Sequence, residues 1–133
     1  IVETAKRFKT NLSIINSVIK SNNDRSKLLL NKIKILLSNK IKNKNISFLG
    51  VTFKANTDDM RESSSMLMIP YLNKNGAKIK YFDPTGIKKE FNKLKNVKYC
   101  QNIKDACYNA DIIIIHTEWN DFKSINFKNF SFI

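Results

Sequence analysis

From Asn45 onward the chain alternates short apolar runs with segments of helical character. This alternation limits the fold more than any other feature. Ile46-Ser47-Phe48-Leu49-Gly50 reads as a strand closed by glycine. Ala77 to Phe82, closed by Asp83-Pro84, reads as a second strand, Val97 to Cys100 as a third and Asp111 to His116 as a fourth. Phe130 to Ile133 has the composition of a fifth. Between them lie three predicted helices. The first opens at Glu62-Ser63-Ser64-Ser65 and stops at Asn75-Gly76, where glycine supplies the left-handed turn. The others span Lys88 to Leu94 and Asn102 to Asn109. Pro70 lies inside the first and is expected to bend or weaken it. Strictly alternating strands and helices predict an α/β fold, an open parallel sheet with helices on both faces. Asp111–His116 is apolar on both faces and is expected at the sheet's centre. Such sheets bind ligands at the carboxyl ends of their strands. That directs attention to Gly50–Arg61, Phe82–Gly86 and His116–Asp121.

The residues before this pattern, 1–42, have another grammar. Ile14, Ile15, Val18 and Ile19 fall on one helical face. Asn22-Asn23-Asp24 is expected to interrupt the helix and cap a second one. In that second helix Leu28, Leu29, Ile33, Leu36 and Leu37 mark the apolar face. Such a pair is an expected helical segment preceding the α/β domain of residues 43–133, with Ser38–Lys44 as the connector.

The net charge of +13 raises nucleic acid, anionic membranes and phosphate-bearing ligands as partners. The cations are 21 Lys and only 3 Arg, and they are scattered from Lys6 to Lys128. Few guanidinium forks and no stacking-aromatic motif argue against a nucleic-acid surface, and most of this charge reads as a solvated exterior. The longest apolar runs have four residues, so no membrane span is expected. Cys100 and Cys107 are seven apart and the lone His116 does not complete a zinc set with them. Both are expected to be buried small hydrophobes in a reducing, cytoplasmic setting. The chain opens on Ile rather than Met, as a fragment or a processed product does.

The first strand-to-helix loop runs LGVTFKANTDDMRES. It has one glycine where a dinucleotide fold has G-x-G-x-x-G, so NAD is not expected to bind at this loop in the usual way. Lys54 and Arg61 are suited to phosphate oxygens, as a point charge and a fork respectively. The helix start at Ser63–Ser65 is expected to add free N–H groups. Asp58 and Asp59 are acceptor-only and suit pairing with Arg61 within the loop. Asp83 reads as an Asp-Pro turn.

The runs LGVTFKANTDDMRESSS, NGAKIKYFDP and ADIIIIHTEWNDF, in this order, resemble the C-terminal domain of the UDP-glucose/GDP-mannose dehydrogenase family. The T-E-W-N block is most similar to the branch acting on UDP-glucose, and residues 1–42 resemble the helical end of the family's middle, dimer-forming domain. The resemblance implies an NAD-dependent enzyme that oxidises the C6 alcohol of a sugar nucleotide twice, through a thioester on a Cys. It implies that residues 43–133 hold the UDP part of the substrate. It matches Phe53 and Lys54 to substrate contacts and Arg61 to a contact with NAD held by the adjoining domain. Glu118 is read as a loop-holding acceptor and Trp119 as a packing anchor. The whole enzyme is expected to be a homodimer or larger.

The chain departs from the family at Ala55, where Pro is usual. The family's catalytic Cys and NAD domain lie upstream of Ile1, and an Asp-Gly-Arg stretch lies beyond Ile133. The segment by itself is therefore expected not to turn over substrate, and no catalytic residue is assigned within it. A relative acting on GDP-mannose or UDP-N-acetylmannosamine, and a non-catalytic basic binding module, are the alternatives.

Overall fold

The computed structural model describes residues 13–126, in which the alternation becomes four parallel strands and the helices between them. Helix α1 is Ser13–Leu36. Strand β1 is Asn45–Leu49, followed by α2 (Ser65–Lys74), β2 (Lys78–Phe82), a 3-10 turn at Lys89–Phe91, and β3 (Val97–Tyr99). Then come α3 (Ile103–Cys107), β4 (Ile112–Ile115) and α4 (Asn120–Lys123). The sheet order is β3-β2-β1-β4. In register, Phe48 of β1 stands between Tyr81 of β2 and Ile114 of β4.

Strand β1 is buried from Ile46 to Leu49 because both faces of the sheet are covered. On one face Ile46, Phe48, Ile79 and Tyr81 pack under α1 and α2, meeting Leu30, Ile33, Met68, Ile69 and Leu72. On the other, Leu49 packs with Cys100, Ala106, Cys107, Trp119 and Phe122. Gly76 has φ +87 and ends α2 as expected, with the Ala77 N–H reaching back to Leu72 O at 3.1 Å. The helix runs through Pro70. In the connector, Asn39 and Asn43 adopt left-handed backbone, which asparagine tolerates better than most residues.

Several expectations differ from the structure, among them the helix over Lys88–Leu94, which is only a 3-10 turn at Lys89–Phe91. The helix break at Asn22–Asp24 does not occur: α1 is one helix of 24 residues. Asparagine is only a weak helix breaker, and a few tenths of a kcal/mol per residue does not outweigh tertiary packing. The buried stripe of α1 and its following turn is Ser26, Leu30, Ile33 and Leu37, while Leu28 and Leu36 are exposed. The segment is apolar around much of its circumference, so spacing alone does not select the face. Finally, β4 is not central among the described residues. It pairs with β1 alone, and Ile115 is exposed. Its isoleucines reflect helical cover on both faces of the sheet, which says nothing about how many strands flank it. The segment 130–133, expected as a fifth strand, lies outside the described residues.

The carboxyl ends of β1 and β2 are joined through Asp83, which is wholly buried. Its carboxylate accepts the Val51 N–H at 2.8 Å, and the N–H of Thr85 at 3.0 Å together with that residue's hydroxyl. The ammonium of Lys88, also buried, lies 3.7 Å away and donates to Thr85 Oγ1. The expected Asp-Pro turn is present, and its carboxylate also ties two strands together. Asp83→Ala should leave a buried ammonium without its counter-charge and the Val51 N–H without its acceptor, at a cost of about 3–5 kcal/mol in urea unfolding. The double change Asp83→Ala with Lys88→Met should recover part of that loss.

Candidate functional site

The strand order places a reversal beside β1. The chain leaves β1 toward β2 and β3, then returns on the other side as β4. In open parallel sheets the loops leaving the two strands at such a point diverge and leave a crevice for ligand. Here those loops are Gly50–Ser64 after β1 and His116–Trp119 after β4.

The first loop is held from inside. Gly50 has φ +73, and a Cβ placed there would lie 2.7 Å from Thr117 Cβ, so the second loop packs directly on the first. Val51 and Thr52 are wholly buried. The Val51 carbonyl accepts the hydroxyls of Ser63 at 2.7 Å and Ser65 at 2.6 Å. Phe53 N–H donates to Asp59 O at 2.8 Å and closes the loop. The start of α2 therefore offers fewer free N–H groups than expected of it. Those of Ser63, Ser65 and Met66 bond to Met60 O, Ser63 Oγ and Ser63 O. A pyrophosphate cradle is not built here, as the single glycine predicts: the backbone it would need lies inside the protein. These residues do not fit a dinucleotide at this loop.

Phe53, Lys54 and Arg61 are among the side chains the loop presents outward, with Asn56, Asp58 and Glu62. Phe53 is 56% exposed and Lys54 is exposed. Arg61 and Asp59 form a two-point pair, Nε to Oδ1 at 3.0 Å and Nη2 to Oδ2 at 2.8 Å. The Arg61 hydrogen bonds hold the Asp59 carboxyl well below its ordinary range, at about 2, with the Lys54 charge adding to the effect. The expected pairing in the loop thus falls to Asp59, while Asp58 is exposed. The guanidinium is held in one orientation and remains at the surface.

The second loop carries groups the sequence did not single out for the site. His116 Nε2 lies 2.8 Å from Ser64 Oγ, and its Nδ1 lies 3.0 Å from Thr117 Oγ1. Thr117, buried, donates its hydroxyl to Thr52 O at 2.8 Å. Burial pushes the His116 pKa down from 6.5 to about 4 against the opposing pull of the Asp83 charge, so the ring is neutral at ordinary pH. The available signal was position: a His-Thr pair directly at the carboxyl end of a strand. Trp119 is buried in the second core as expected. Glu118 is exposed and accepts no hydrogen bond among the described residues, so it does not hold the loop. Phe53, Glu62, Ser64, His116 and Glu118 line one end of a cleft of about 710 Å³ that continues between β4 and α1.

Cys100 and Cys107 are free and buried, and burial raises both thiols, so neither is an activated nucleophile. Among the described residues no group of three His, Cys, Asp or Glu side chains is placed to hold a metal. No helix among them is long and apolar enough to cross a membrane.

Fold and site define a class: a doubly wound α/β domain whose first loop carries a ring and two cations at the surface beside the crevice, with its backbone at Val51 and Thr52 buried. The model of the UDP-glucose/GDP-mannose dehydrogenase family, UDP binding domain, matches residues 47–132, and the chain belongs to that family. It is 41% identical over 117 residues to the UDP-glucose 6-dehydrogenase of Rickettsia conorii, covering 86% of this chain and 27% of that protein. It is 40% identical over 125 residues to the same enzyme of Rickettsia prowazekii, covering 92% and 29%. The chain thus spans little more than a quarter of these curated relatives. Among solved structures, a UDP-glucose dehydrogenase from Pyrobaculum islandicum superposes with a TM-score of 0.81 at 22% identity, over 95% of this chain and 29% of that one. That likeness establishes the fold.

The depressed His116 pKa has a consequence for stability. Between pH 6.5 and about 4 the unfolded chain binds a proton at His116 that the folded chain does not. Its contribution is therefore complete above pH 6.5 and declines as pH falls toward 4, by about 3 kcal/mol. Asp59 is also depressed, but it titrates lower, between its ordinary 3.8 and about 2. Unfolding followed from pH 7 to 4 should show this decline, and His116→Gln should flatten it.

Proposed function

We propose that this chain is the UDP-sugar-binding portion of an NAD-dependent UDP-glucose 6-dehydrogenase, which converts UDP-glucose to UDP-glucuronate. The carrying observation is the folded form of the Leu49–Ser65 block. It lies at the carboxyl end of β1 in the crevice, presents Phe53 and Lys54 outward, and belongs to a chain about 40% identical to enzymes of that name. Residues 43–133 form the UDP-sugar domain and residues 1–42 the helical end of the dimerisation domain. The exposed Leu28, Ile35 and Leu36 of α1 support that division, because a helix of a larger helical domain keeps such a stripe for its neighbours.

In this reading NAD, held by the adjoining domain of the same enzyme, accepts the hydrides, and the thiol nucleophile also lies outside this segment. The work of this chain is binding and orientation. Lys54 meets the substrate diphosphate as a point charge, and Phe53 supplies an apolar face to a ring of the ligand. Arg61, already oriented by Asp59, offers the other edge of its fork to a phosphate of NAD across the domain boundary. The whole enzyme is a homodimer or larger. Two buried free thiols support a reducing compartment, the cytoplasm.

In the dehydrogenase that contains this chain, Lys54→Ala should lower kcat/KM for UDP-glucose by about 1–3 kcal/mol, roughly 5- to 150-fold, through loss of a charge-assisted contact. Unchanged kinetics would remove Lys54 from the site. Faster turnover of GDP-mannose or UDP-N-acetylmannosamine than of UDP-glucose would reassign the substrate within the family.

A further inference from the structure

We propose that His116 is a positioning residue: through Thr117 it holds the Thr52 carbonyl, and with it the segment from which Phe53 and Lys54 project. The inference rests on the reading of that segment as the substrate loop.

The protons available fix the direction of these bonds. Thr52 O is a carbonyl and can only accept, so the one hydroxyl proton of Thr117 is committed to it at 2.8 Å. Thr117 Oγ1 then has only lone pairs to offer His116 Nδ1, 3.0 Å away. The Nδ1 atom must therefore carry the proton. In the neutral ring that leaves Nε2 as an acceptor, and the hydroxyl of Ser64, 2.8 Å away, donates to it. The chain of bonds has one direction, from Ser64 to His116 to Thr117 to Thr52. Bonds aligned in this way polarise one another.

The place where the relay ends gives it a role. Phe53 and Lys54 make no side-chain hydrogen bond or ion pair among the described residues, so their position depends on the backbone that carries them. Three bonds hold that backbone: Thr117 to Thr52 O, Thr52 Oγ1 to Lys54 O at 3.2 Å, and Phe53 N–H to Asp59 O. The first is the one that comes from the loop after β4. Thr117 is buried and packed on Gly50, so its hydroxyl has little freedom to turn elsewhere. The relay thereby links the β4 end of the crevice, the start of α2 and the loop after β1. His116 does this through its hydrogen bonds to Ser64 and Thr117. A loop held in its binding geometry before ligand arrives avoids the ordering cost of binding.

The test uses the complete dehydrogenase with UDP-glucose as the probe, separating KM from kcat. Thr117→Val and His116→Gln should each raise KM about tenfold and leave kcat within about twofold. Gln places its amide near Nε2 and loses the Nδ1 donor. Thr117→Ser keeps the hydroxyl, and His116→Asn keeps an N–H near Nδ1; both should restore KM to within about threefold of the parent. The Asn and Gln variants are both polar and of comparable size, so their difference reports the direction of the relay rather than general damage. Equal KM for the two would overturn it. A raised KM in Lys54→Ala with no change in Thr117→Val and His116→Gln would overturn the positioning role. An unchanged KM in Lys54→Ala would instead overturn the reading of the loop as the substrate loop.

Discussion

The buried Asp83 carboxylate anchors the loop after β1 at its base. By accepting the Val51 N–H it fixes the first residue beyond Gly50 to the end of β2, and by accepting from Thr85 it closes the turn that follows β2. A carboxylate removed from water needs such partners, and Lys88 supplies the compensating charge from a position almost as buried. Asp83 does not reach the surface. Its effect on function is that the loop after β1 leaves the sheet in one direction only.

Val51 is held on its other side as well. Its carbonyl takes the hydroxyls of Ser63 and Ser65, so the start of α2 is bound back onto the end of β1. The three consecutive serines divide their tasks. The outer two serve Val51, and Ser64 turns to His116 across the crevice. A buried polar network of this kind is favourable only when its members are satisfied, and here each hydroxyl has a partner within about 3 Å. The outcome is a loop with a rigid base and exposed, chemically active tips: an aromatic ring, an ammonium, and a guanidinium oriented by Asp59.

Much of this was legible along the chain. The strand and helix order follows from short, largely apolar segments punctuated by Gly50, Asn75-Gly76 and Asp83-Pro84. The single glycine of the first loop argued against a dinucleotide cradle, and the backbone at Val51 and Thr52 is buried. Cys100 and Cys107 read as small hydrophobes and are buried among Leu49, Trp119 and Phe122. The inward stripe of α1 was not legible, because Leu28, Ile35 and Leu36 are as apolar as Leu30 and Ile33 and only the sheet beneath selects between them. The His116 relay was not legible either. It joins residues 52, 64, 116 and 117, and nothing in the sequence states that the fourth strand lies against the first.

The sequence alone therefore determined the class of fold and the position and exposed residues of the candidate loop after β1. Each of these depends on local pattern: periodicity, turn chemistry and the residue types within one continuous block. Tertiary structure decided what required distant segments to meet. It set the order β3-β2-β1-β4, turned Asp83 from a turn residue into the joint between two strands, and kept His116 neutral by burial. The physical reason is that burial and hydrogen-bond geometry depend on neighbours in space, and the strand order that supplies those neighbours is settled only when the sheet assembles.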